Sequence, residues 1–164
     1  MLKIYVAREL DTDPGWVEEQ LALLREMLPE LLDRLELLKA SLVLSLVSDT
    51  AGVAAKLVQL KGLLPLTDVP ALVARHTGLL HRSPAAMAAS LEALRAALGG
   101  DAARAEALVA QEPALLGADV DALLDEVRRL VPGQDPMNFL VANPGMVLSM
   151  AQAGLESAID GNLV

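Results

Sequence analysis

Four cations hold one place in a repeated stretch. Arg25, Lys61, Arg95 and Arg128 are each the fifth residue of the pattern L-x-x-[LV]-[KR]-x-x-[LV]-[PG], found at 21–29, 57–65, 91–99 and 124–132. Successive copies are offset by 36, 34 and 33 residues. A period in the thirties is the mark of stacked helical repeats, and like positions in such a stack form a row on one face. A row of cations has three uses. It can follow the phosphates of a nucleic acid, or it can meet an acidic protein surface. It can also do no more than offset the negative end of each helix dipole. No aromatics interleave with the row to stack on bases.

A second group of cations, Arg75, His76, His81 and Arg82, is a candidate anion-binding patch. The two histidines are five apart, whereas a metal pair on one helix wants a spacing of three or four and carboxylate companions. Asp119, Asp121, Asp125 and Glu126 crowd the start of one expected helix. Carboxylates there complement the positive end of the dipole. Acid–base catalysis would need a pair held in a cleft with unequal surroundings. The chain carries no glycine-rich phosphate loop and no nucleophile motif. It has no cysteine, which excludes a thiolate metal site and a cysteine nucleophile. The expectation is therefore no catalytic residue, no metal and no cofactor.

Composition points the same way. Hydrophobic residues make up 54% of the 164 and aromatics 2%, with Leu and Ala dominant, a mixture that packs helix on helix. The net charge is −9, whereas nucleic-acid binders are usually basic. The distribution is uneven: net −4 over 1–47, +2 over 48–99 and −7 over 100–164. A protein partner is thus favoured over a nucleic acid. No apolar run approaches the roughly 18–20 residues of a membrane span. The first residues lack the apolar core of a signal peptide and carry too many acids for a transit peptide.

Turn chemistry divides the chain. Residues 1–13 are expected to form an arm, extended near its start. Asp13-Pro14 then caps a helix that Pro29 breaks. A long Leu-rich helix is expected over 30–47, apolar on nearly all sides, with part of its surface left for a partner or a second copy. Further helices span 50–64, 68–81, 83–99, 101–116, 120–131, 136–142 and 148–159, with Asp49, Asp68, Asp101, Asp119 and Asp135 as caps. Trp16 and Phe139 are expected in the core. Residues 14–160 form one helical-repeat domain in this reading, and 161–164 a tail.

A second motif alternates with the first. Residues 71–80, ALVARHTGLL, match 107–116, ALVAQEPALL, and 138–147, NFLVANPGMV, with a degenerate copy near 35–44. Leu108, Val109, Pro113, Leu115 and Leu116, with Phe139, Leu140, Pro144, Met146 and Val147, carry a resemblance to the mitochondrial transcription termination factor (mTERF) repeat family. It covers most of residues 20–150. Thr77 departs from it, standing where the pattern has Pro. The resemblance implies an all-α solenoid of about nine helices in antiparallel pairs, an organellar setting, and a concave basic surface for nucleic acid or a place in a large assembly. The expected function is a non-catalytic scaffold or adaptor, an accessory subunit of a larger organellar protein or ribonucleoprotein assembly. The alternative is an mTERF-type nucleic-acid-binding regulator that uses the Arg25, Lys61, Arg95, Arg128 row.

Overall fold

The computed structural model describes the backbone of residues 1–160 and the side chains of residues 1–154. The expected tail lies outside the described residues. These contain eleven α-helices, three 3-10 turns and no strand, so the chain is all-α. It divides into two compact units, Met1–His81 and Arg82–Val164. The repeats that the sequence groups into one domain thus fall two to a unit.

In the first unit the helices are α1 (Leu2–Glu9), α2 (Pro14–Met27), α3 (Pro29–Leu32), α4 (Ala40–Ser48), α5 (Thr50–Leu63) and α6 (Val69–Arg75). The second holds α7 (Pro84–Ala97), α8 (Ala102–Gln111), α9 (Val120–Leu130), α10 (Pro136–Ala142) and α11 (Pro144–Asp160). The 3-10 turns cover Leu35–Leu37, Thr77–His81 and Pro113–Leu115. The nine-residue motif ends α2, α5, α7 and α9, and the first three of these are each 14 residues long.

The repeat has a physical cause at each position. Its fourth residue is Leu24, Leu60, Leu94 or Val127, and all four are 0% exposed. The cation follows at the next residue, one step around the helix, and is exposed in every copy. Like then stacks on like. In the first unit α2 packs on α5, and α3 on α6. In the second, α7 packs on α9, and the Pro113–Leu115 turn on α11.

Starts and stops follow side-chain chemistry. The Asp13, Asp49, Asp68, Asp101, Asp119 and Asp135 carboxylates accept backbone N–H bonds of 2.7–3.2 Å at the starts of α2, α5, α6, α8, α9 and α10. Leu28, Leu64, Glu112, Val131 and Asn143 each precede a proline, which bars the helical conformation to them. All five hold φ between −124° and −138° with ψ between 54° and 84°, so the chain bends there. His76 makes the same bend (φ −139°, ψ 77°) with Thr77 after it, so that copy keeps the geometry without the proline.

Three expectations are corrected. Residues 2–9 are helical rather than extended, because Val6 and Ala7 are buried where α1 packs on α2 and α4. That helix ends on Asp11 at φ 52°, with Thr12 N–H bonded to Ala7 O and Asp11 N–H to Arg8 O; aspartate is among the few side chains that tolerate a left-handed position. The long helix over 30–47 is instead α3, a 3-10 turn and α4, joined through an extended Leu38 (φ −76°, ψ 147°). Trp16 is not in the core but 38% exposed.

Among the described residues no single helix is both long and apolar enough to cross a membrane. The pair α4 and α5 is apolar enough when taken together, but it is bent by 89°.

Candidate partner-binding groove

The break in the long helix creates the most distinctive surface of the first unit. When α3 stops at Leu32, the chain turns through 35–37 and re-enters a helix at Ala40. The turn faces the end of α6 and leaves a groove of about 440 Å³ between them. Leu31, 1% exposed, lies at its base, while Leu38 and Leu42 are half-buried along it. Leu37 stands on its rim, 82% exposed.

The charged residues lining it are all cations: Arg34, Lys39 and Arg75. Glu30, Asp33 and Glu36 belong to the same stretch of chain but do not line the groove. Arg34 fixes the geometry. Its Nη2 donates to Ala74 O at 2.9 Å and its Nε to Glu30 O at 3.3 Å, which ties the turn to the last carbonyls of α6. Lys39 precedes α4 with no side-chain capping bond. The groove thus presents apolar surface inside a positive rim, on a unit whose eight bases are outnumbered by eleven acids.

The expected cation row fares unevenly. Arg25, Lys61, Arg95 and Arg128 each lie in the last turn of their helix, where a cation offsets the dipole. Arg128 pairs with Asp125 at 2.5 Å and Arg95 with Glu92 at 3.7 Å, while Arg25 Nη2 reaches Leu32 O at 3.4 Å. Lys61 alone of the four makes no side-chain bond among the described residues.

The residues of the expected anion patch have different surroundings. Arg75 lines the groove, whereas His81 lines a separate cleft of about 290 Å³ with Ser45, Asp49 and Lys56. His76 ends α6 with its N–H on Leu72 O and Val73 O. Arg82, the first residue of the second unit, donates from Nη1 to Ala114 O at 3.1 Å and also to Leu116 O. Burial pulls its guanidinium below its ordinary value.

The carboxylates at 119–126 are also engaged locally. Asp119 caps α9, and Asp125 pairs with Arg128. Glu126 accepts from Arg129 Nε at 3.1 Å and Nη2 at 2.6 Å. That hydrogen bonding, helped by the charge of Arg129, holds Glu126 below the usual carboxylate range and raises Arg129. A lowered folded value means that the pair favours the folded state above the unfolded carboxylate pKa. The contribution disappears as pH falls through the folded one. Replacing Arg129 by Gln is expected to return Glu126 to the ordinary range, read from its side-chain carbon shift in a pH titration by NMR.

Among the described residues no group of three or more His, Asp or Glu side chains is placed to hold a metal ion. Sequence reasoning placed Leu37 on a partner-facing apolar surface but missed Arg34 and Lys39. The signal was the lone basic pair inside a Leu-rich run, and it was read as part of one continuous helix. Comparison with protein-family models, curated proteins and solved structures finds no match to this chain.

Proposed function

We propose that the chain is a non-catalytic helical-repeat adaptor, an accessory subunit of a larger protein or ribonucleoprotein assembly. In this proposal it is an α-solenoid of mTERF-like helix pairs and works in an organelle. The observation that carries it is the apolar surface left on the outside of the first unit. Trp16 and Leu23 lie seven residues apart on one face of α2, Leu23 at 48% exposure. Val58 on α5 is 70% exposed and Leu66, just beyond that helix, is 75% exposed. Large aromatic and aliphatic side chains held outward on rigid helices are what a protein interface uses as anchors. A net charge of −9 adds to the preference for protein over nucleic acid.

A second function, nucleic-acid-binding regulation of the mTERF type, draws support from one observation: Arg25 and Lys61 occupy the same position of equal-length helices, and Lys61 is uncommitted. Fluorescence anisotropy with labelled RNA and duplex DNA separates the two. The adaptor shows no saturable binding even at low salt. Binding that falls steeply with salt and is lost in a K61E/R95E variant would establish the regulator instead.

A further inference from the structure

We infer that the groove between the Leu35–Leu37 turn, the start of α4 and the end of α6 receives an acidic amphipathic helix of a partner protein. This rests on the adaptor proposal for the class of partner, and on charge complementarity for its chemistry.

The groove is apolar along its length, from buried Leu31 past Leu38 and Leu42 to Leu37, which is 82% exposed on the rim. A helix that lays an apolar face into a groove presents anchors at positions i, i+3 or i+4, and i+7. Its remaining positions then face the rim, where every charged lining residue is a cation. Acidic side chains are therefore preferred there, and basic ones are repelled. The walls are preorganised. Arg34 bonds Ala74 O at 2.9 Å, so the turn and α6 are already held together before anything binds. Leu37, 82% exposed on the rim, is free to be covered by a bound helix without disturbing the core.

The test uses the full chain and a fluorescein-labelled synthetic helix of about 15 residues, with Leu at i, i+4 and i+7 and Glu at the flanking positions. Saturable micromolar binding is expected, weakening as salt rises. Leu37→Asp is expected to reduce affinity about tenfold or more, since burying one leucine side chain carries at least that factor. Lys39→Glu is expected to reduce it about threefold and to flatten the salt dependence, as an exposed ion pair does. Both substitutions are at exposed positions, and circular dichroism with the unfolding midpoint checks that the fold is kept.

The inference is overturned if the Glu peptide and its Lys counterpart bind alike, or if Leu37→Asp changes nothing. It is overturned in favour of a second copy if light scattering shows a dimer that Leu37→Asp dissolves. It is overturned in favour of a lipid surface if the chain sediments with phosphatidylserine vesicles through Leu37 while ignoring the peptide. The adaptor proposal fails separately: it falls if no protein is retained from extract, whereas the peptide titration reads the groove alone.

Discussion

Truncating Leu24, Leu60 or Leu94 to Ala is expected to cost about 2–5 kcal/mol of stability each, the range for emptying a packed leucine site. All three occupy the fourth position of the nine-residue motif and are 0% exposed. Val127→Ala, at the fourth such position and equally buried, is expected to cost about 2 kcal/mol, since it gives up two carbon atoms rather than three. The neighbouring cations provide the contrast. Arg25→Ala, Lys61→Ala and Arg95→Ala lie one residue further on, at exposed positions, and are expected to stay within about 0.5 kcal/mol. Urea unfolding followed by circular dichroism measures both series. A repeat whose adjacent positions differ this sharply is a packing repeat. If the leucine and cation series cost alike, the motif is not organised around burial.

The second large effect lies at the turn after α8. Ser90 is 5% exposed on α7. Its hydroxyl donates to Ala118 O at 2.7 Å and accepts from Gly117 N–H at 2.9 Å. Arg82 donates to Ala114 O and Leu116 O from the start of the same unit. Between them these two side chains pair four backbone groups of the turn at 114–118, which lack helix partners. Gly117 sits at φ 88°, and a side chain there would crowd Arg82 Cδ at 3.1 Å, so the turn is built for this clamp. Ser90→Ala leaves partly buried backbone groups without their partner and is expected to cost about 1–2 kcal/mol, with Arg82→Met costing a similar amount. Both hold one turn, so their effects should be non-additive in the double variant. Strict additivity would mean that the two contacts are independent.

These contacts also show what the sequence could reveal and what it could not. Every aspartate cap was readable, because Asp before an apolar run has one strong local use and needs no tertiary information. The bends before Pro29, Pro65, Pro113, Pro132 and Pro144 were readable for the same reason. The bend at His76 was not, since no proline follows it to mark it. The run from Glu30 to Val47 has no Gly or Pro, so its periodicity offered no sign of the break at Leu38. Residues 2–9 mix β-branched and aromatic side chains that suit a strand as well as a helix, and only burial of Val6 and Ala7 on other helices decides between them. The groove was illegible for a deeper reason: Arg34 and Ala74 are forty residues apart. Its lining is a property of how two repeats stack. Arg25, Lys61, Arg95 and Arg128 each lie in the last turn of a helix. Two of them, Arg95 and Arg128, spend their charge on carboxylates three residues away.

The adaptor proposal meets its most direct test in one quantitative affinity purification. The tagged wild-type chain, the L37D/K39E variant and the K61E/R95E variant are passed through extract with and without nuclease treatment, and the retained proteins are measured by mass spectrometry. The account predicts one protein set held equally by wild type and K61E/R95E and lost from L37D/K39E. Retention that disappears on nuclease treatment, or that K61E/R95E abolishes while L37D/K39E does not, would contradict it.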